Sequence, residues 1–236
     1  MELLYTGKAK EIYKLETDGQ IAIVYTDNAT AGNGEKADSF ANKGKLNVEI
    51  SSLIYKYLES KGIATHLIEN RLEENMQICH HCQLIPLEVI IRNISAGSMA
   101  KKMGIEEGIK LSHPIFELSY KDDSLGDPFI NSDYATALEI CSAEELSEIK
   151  ASALSINQLL IDLFLEANIT VVDFKLEYGR TADGSVVLID EISPDTMRLW
   201  DATTGQKLDK DNFRRDLGDL VENYSEVLKR LKELNV

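Results

Sequence analysis

The chain has little cysteine, few basic residues for its acid content, and no long apolar run, and each shortage excludes something. Three cysteines in 236 residues, Cys79, Cys82 and Cys141, leave no even disulfide framework and fit a reducing compartment. Twenty-five lysines and arginines stand against forty aspartates and glutamates, a formal charge of -15. A sequence-independent grip on nucleic acid needs clustered cations to displace counterions, so no nucleic-acid partner is expected. No apolar stretch approaches the roughly 20 residues that span a bilayer. The opening MELLYTGKAKEIYKLE also lacks the basic-then-apolar order of a signal peptide. The expectation is a cytoplasmic protein without a membrane partner. Internal repeats, low-complexity tracts and linkers are absent as well.

What is present centres on Ile169 to Asp201. Ile169 to Gly179 is rich in strand formers, and its alternation sets Asp173, Lys175 and Glu177 on one face and Val172, Phe174, Leu176 and Tyr178 on the other. Asp183-Gly184 reads as a two-residue hairpin turn, followed by a second strand over Ser185 to Ile192. That turn would set Glu177 directly opposite Asp190. Opposed like charges destabilise a sheet, so two readings stand. One is a divalent cation: Mg²⁺ typically takes one or two carboxylates and completes its shell with water and substrate phosphates. The other is a solvated hairpin face on which Lys175 pairs with Glu177.

Around this hairpin the chain reads as mixed α and β. Leu3 to Tyr5 and Glu11 to Leu15 are short strands flanking Thr6-Gly7-Lys8-Ala9-Lys10. This loop is no Walker A sequence, which needs a second glycine before Lys-Ser/Thr and a helix afterwards. A hairpin loop of this kind either closes over phosphates through its amides and lysines or is an ordinary exposed turn. Ile21 to Tyr25 continues the sheet into the polar stretch Thr26 to Gly34, too long for a simple turn. Leu46, Ile50, Leu53, Ile54, Tyr57 and Leu58 recur at helical spacing over Lys45 to Ser60, with Gly62 as a stop. Thr65 to Ile68, Gln77 to Ile78 and Leu84 to Arg92 are further strands.

Arg92 ends its strand just before a short helix over Met99 to Met103, and with Ser98 it makes either an anion pocket or a capped helix beside a surface arginine. Ser142-Ala143-Glu144-Glu145 is a capping box, and the helix behind it carries Leu146, Ile149, Ile156, Leu159, Leu160, Leu163 and Phe164 toward the core. A last helix is expected from about Asp211 to Leu234. Cys79-His80-His81-Cys82 resembles half a zinc site, but four adjacent residues wrap one tetrahedral ion poorly and no second CxxC is present. Small buried cysteines near a strand are the preferred reading.

The chain as a whole resembles the SAICAR synthetase family of purine biosynthesis. The resemblance runs from Tyr5-x-Gly-Lys-Ala-Lys to the last helix. It is carried by Leu84-Ile85-Pro86-Leu87-Glu88 with Arg92-Asn93 and Ala96-Gly97-Ser98, by Val172 to Gly179, and by Asp190-Glu191-Ile192-Ser193-Pro194-Asp195 with Arg198-Leu199-Trp200-Asp201. It implies an α+β fold of two lobes, with an antiparallel ATP-binding lobe over residues 1–83, a larger lobe over 84–236, and a cleft like that of kinases and ATP-grasp enzymes. It also implies a reaction in which ATP, L-aspartate and carboxyaminoimidazole ribonucleotide give SAICAR, ADP and phosphate, in a homodimer. By the same resemblance Gly7, Lys8, Lys10 and Lys121 lie on the ATP side, and Glu177 and Asp190 hold Mg²⁺ beside Lys175. Arg92, Ser98, Asp195 and Arg198 hold the ribonucleotide. The chain departs from many relatives in having His80-His81 where they carry a basic pair, near the adenine side. A small-molecule kinase is the competing class, but a kinase-like His-Arg-Asp loop is missing. A silent nucleotide-binding module is another, although both metal carboxylates are present.

Overall fold

The computed structural model describes residues 1–31, 36–215 and 217–234. The first segment forms strands β1 (Glu2–Thr6), β2 (Lys10–Lys14) and β3 (Gln20–Tyr25), then a two-stranded ribbon of β4 (Asn28–Ala31) and β5 (Lys36–Ser39). The polar stretch expected as a loop from Thr26 thus contains strand β4, while Gly32, Asn33 and Gly34 lie outside the described residues. Helix α1 (Lys43–Ser60) follows, then β6 (Leu67–Arg71) and β7 (Met76–His80). These make a five-stranded antiparallel sheet in the order β1-β2-β3-β7-β6.

The second sheet begins with β8 (Gln83–Ile94) and continues, after helix α2 (Gly97–Met103), with β9 (Lys110–Tyr120) and β10 (Phe129–Ile130). Helices α3 (Ser132–Ala137) and α4 (Ala143–Glu166) lead into β11 (Ile169–Arg180), β12 (Val186–Ile189) and β13 (Met197–Asp201). Both halves of the expected capping box form at Ser142 and Glu145. The apolar stripe of α4 packs on β11 and β8, with Ile149, Ile156, Leu160 and Phe164 fully buried.

The chain closes with α5 (Asp211–Arg215) and α6 (Leu220–Glu233). The single helix expected from Asp211 onward is therefore two. Gly218 is at φ +158, and the side chain of Asp219 caps α6 by accepting from Val221 N–H at 2.8 Å and Glu222 N–H at 3.1 Å. A capping aspartate that restarts the hydrogen-bond ladder ends one helix and begins another.

Two features of this frame position the site. First, α1 lies between the sheets: Val48 packs with Ile21, Ile23 and Tyr25 of the first, whereas Ile50, Ile54, Tyr55 and Leu58 belong to the core of the second. Gly44 lets the helix approach so closely that an added Cβ would stand 2.6 Å from the Tyr25 carbonyl oxygen. Second, β11 shares one edge between two short strands. Its first half pairs with β13 and its last residues pair with β12, while β8 takes the other edge. The segment 190–196 emerges where β12 and β13 abut, and the N–H of Lys175 reaches the Thr196 carbonyl there at 2.9 Å.

Candidate active site

The hairpin register differs by one residue from the expected one. Glu177 lies opposite Ile189, not Asp190. The turn has three residues rather than two: Gly184 N–H donates to the Thr181 carbonyl at 2.9 Å, Thr181 N–H to the Ser185 carbonyl at 2.9 Å, and Gly184 is at φ +88. A left-handed glycine adds one residue to the loop and slides the pairing. Asp190 then falls just past β12, itself at φ +69. A non-glycine residue in that region is uncommon and marks a site where the surroundings hold it. Here the Tyr55 hydroxyl donates to the Asp190 carbonyl at 2.9 Å.

Despite the changed register, Glu177 and Asp190 meet in one place. Lys175 hydrogen-bonds Glu177, and its ammonium lies 3.5 Å from both Asp190 Oδ2 and Glu88 Oε1. Lys121 reaches Glu177 Oε1 at 3.0 Å, while Lys10 pairs with Asp190 and lies 3.1 Å from Glu191 Oε1. Lys10 therefore crosses from the first sheet to the second. Burial pulls the Lys10 and Lys175 ammonium groups down, but their carboxylate neighbours outweigh it and both rise above the ordinary lysine value. Burial likewise pushes the Asp190 acid up, yet Lys10 and Lys175 hold it well below the usual range. Lys10, Lys175 and Asp190 are therefore charged at neutral pH.

A second cluster sits farther along β11. Asp173, 4% exposed, accepts from Arg92 Nη1 at 2.9 Å and from Arg198 Nη1 at 3.0 Å. Arg92 is also held bidentately by Glu117, and Arg198 Nε donates to Asp211 at 3.1 Å. Ser98 stands in the first turn of α2, whose N-cap is Ala96, and its side is exposed toward the same space. Gly97, at φ +55, allows that approach, since a Cβ there would lie 2.3 Å from Arg198 Nη2. A third cluster surrounds Asp195, which pairs with Lys43, accepts from Asn47 Nδ2 at 2.7 Å and Tyr224 Oη at 2.8 Å, and lies 3.7 Å from Lys210 Nζ.

Every site residue expected from the sequence lines one cleft of about 930 Å³, within the size range of small-molecule sites. Gly7 opens the tight loop whose N–H reaches the Lys10 carbonyl at 2.8 Å, and Lys8 bridges to Asp123 at 2.7 Å. His80 and His81 line the cleft beside the apolar Ile12, Ile21, Ile23, Leu84 and Ile189. Cys79 is wholly buried in the core of the first sheet, where burial pushes its thiol up. His66, Lys210 and Arg214 also line the cleft, Lys43 is buried behind it against Asp195, and all four escaped the sequence reading. For Lys210 and Arg214 the charge-dense run Asp209 to Arg215 was a signal; Lys43 and His66 had none.

A family model for SAICAR synthetase matches residues 3–231. The chain belongs to the SAICAR synthetase family. Among relatives, the phosphoribosylaminoimidazole-succinocarboxamide synthase of Finegoldia magna is 53% identical over 98% of this chain and 100% of its own. The crystal structure of the Ehrlichia chaffeensis synthase is 40% identical, covers 98% of each chain and superposes with a TM-score of 0.96. A SAICAR synthetase solved in complex with ADP is 44% identical over 98% of this chain and 97% of that one, with a TM-score of 0.94. Full-length membership places the chain among ATP-using ligases of purine biosynthesis and sets aside the kinase and silent-module readings. No helix among the described residues is long and apolar enough to cross a membrane.

Proposed function

We propose that this cleft joins L-aspartate to the carboxylate of carboxyaminoimidazole ribonucleotide, with ATP becoming ADP and phosphate, and that residues 1–83 and 84–236 contribute its ATP and substrate sides. The convergence of Glu177 and Asp190 on Lys175, between the Gly7 loop and the Arg92-Arg198 cluster, carries the assignment of roles. ATP phosphates lie under Gly7, Lys8 and Lys10, with Lys121 alongside, and the adenine faces the apolar wall and His80-His81. Arg92, Ser98 and Arg198 receive the ribonucleotide phosphate, with Asp195 beside them.

A carboxylate resists amine attack because its leaving group would be oxide. The γ-phosphoryl of ATP is transferred first to a carboxylate oxygen of the ribonucleotide, releasing ADP. The aspartate amine then attacks the acyl carbon, the C–O bond to phosphate breaks, and the amine loses a proton. Phosphoryl transfer is catalysed mainly by positioning and charge compensation, and Lys10, Lys121 and Lys175 are three buried or half-buried cations able to neutralise the moving group. Glu177 and Asp190 fit Mg²⁺: they are hard oxygen donors that share the Lys175 ammonium with Glu88, and among the described residues no group of three or more acidic, histidine or cysteine side chains forms a protein cage. When bound, the ion supplies Lewis-acid charge to the phosphates. Glu177 and Asp190 would be the residues that hold it, beside Lys175. The cysteines have no chemical part.

With oxygen-18 in the ribonucleotide carboxylate, one labelled oxygen is expected in the inorganic phosphate, beside ADP. Label kept wholly in the amide, or AMP and pyrophosphate as products, would refute the route. We place the enzyme in the cytoplasm and read it as a homodimer, a state measurable by light scattering.

A further inference from the structure

Asp209 is wholly buried but is absent from the cleft lining. Its two oxygens are divided between two main-chain donors: Oδ2 accepts from Leu199 N–H at 2.9 Å and Oδ1 from Asp211 N–H at 2.7 Å. Among the described residues no lysine or arginine forms an ion pair with it. A buried carboxylate without a paired cation is costly. Burial, and after it the neighbouring Asp211, pushes the Asp209 acid up to about 7. Such a group persists against its own cost when what it holds in place matters.

What it holds is specific. Leu199 is the neighbour of Arg198 on β13, and Asp211 is the first residue of α5. Asp211 in turn accepts from Arg198 Nε at 3.1 Å and from Arg214 Nη1 at 2.7 Å. Lys210, between the two aspartates, extends toward Asp195. We propose that Asp209 is a positioning residue for the ribonucleotide subsite: its carboxylate clamps the start of α5 onto β13 and so fixes Asp211, and through it Arg198 and Arg214, in the geometry that receives the substrate's anionic groups. The chain between β13 and α5 already folds back on β13, with Leu208 N–H donating to the Leu199 carbonyl at 2.8 Å and Asp201 N–H to the Gln206 carbonyl at 2.8 Å, and Asp209 adds the tie that carries this attachment on to the first residue of α5. The proposal rests on the assignment of the Arg198 cluster to the ribonucleotide.

Asp209→Asn keeps the size of the side chain but turns one acceptor into a donor facing an N–H. The folded variant, checked by circular dichroism, should show a KM for the ribonucleotide raised roughly 10-fold, the scale of one good hydrogen bond, with the KM for ATP unchanged. Asp211→Asn should give the same split, and the double variant should add little, because the two act through one chain of contacts. If the amide variant fails to fold, Asp209→Glu, which keeps the charge and displaces the clamp by one methylene, carries the same readout. An unchanged ribonucleotide KM in a folded Asp209 variant, or an equal rise for ATP, overturns the proposal. Arg198→Ala measured in parallel separates the two failures. If it moves ATP instead of the ribonucleotide, the subsite assignment is wrong. If it moves the ribonucleotide while Asp209→Asn does not, only the positioning role falls.

Discussion

Asp190 is constrained in both its backbone and its side chain. Its backbone is left-handed, its carbonyl is held by Tyr55, and its carboxylate is shared by Lys10 and Lys175. Asp190→Asn and Glu177→Gln each remove one negative charge at nearly constant size. Each should leave a folded protein with kcat lowered roughly 10²-fold or more, the scale of losing one preorganised electrostatic contact. Steady-state assays at saturating Mg²⁺ check this, and near-normal turnover in either variant would sink the metal assignment.

The two arginines on Asp173 differ in a way their sequence positions do not suggest. Arg92 is 3% exposed and sits between Asp173 and Glu117, so Arg92→Ala breaks a buried ion network and should cost about 3 to 5 kcal/mol of stability. Arg198 lies closer to the cleft surface, its side chain 17% exposed. Arg198→Ala should chiefly weaken ribonucleotide binding, by about 10- to 150-fold, the worth of one charge-assisted contact. Urea unfolding and substrate titration separate the two. Equal loss of stability in both variants would contradict the distinction.

Among the elements, α4 and β11 are joined at Glu145. This glutamate completes the capping box of α4 and accepts from Arg180 Nη2 of β11 at 2.9 Å. The Arg180 hydrogen bond lowers its acid from 4.5 to about 2, against an opposing effect of burial. A carboxyl depressed in the folded state contributes stability above its unfolded value, and that contribution is lost as pH falls from 4.5 toward 2. The stability gap between the protein and Glu145→Gln should therefore be largest near pH 6 and shrink by pH 3. Urea unfolding at both values tests it, and a gap that stays constant would count against the ion pair.

At the scale of the molecule, the cleft depends on how α1 seats both sheets. Gly44→Ala forces a Cβ against the Tyr25 carbonyl, a backbone atom that cannot swing aside. Overpacking of this kind costs about 1 to 3 kcal/mol. Because Lys43 on the same turn holds Asp195, activity should fall together with the melting temperature. A lowered melting temperature with unchanged kinetics would show that α1 supports the fold without setting the cleft.

The sequence by itself determined the local structure wherever one periodicity ruled. The α4 stripe and its capping box, the strand nature of β11, and the family's motifs were legible because residues close in the chain specify them. The family resemblance also named a set of charged residues that line the cleft, but not His66, Lys210 or Arg214. The tertiary structure alone decided the pairings. Gly184 adopts a left-handed conformation that slides the hairpin by one residue, and Asp190 returns to Glu177 only because Lys175, Lys10 and Tyr55 hold it there. Strands β9 and β4 carry no clean alternation, being strands by virtue of their neighbours. Asp173, Lys43 and Asp209 look like ordinary charged residues in the chain. What gives each its role is burial beside a partner about 20 to 150 positions away, or a main-chain donor across a loop, and no local pattern encodes such a distance.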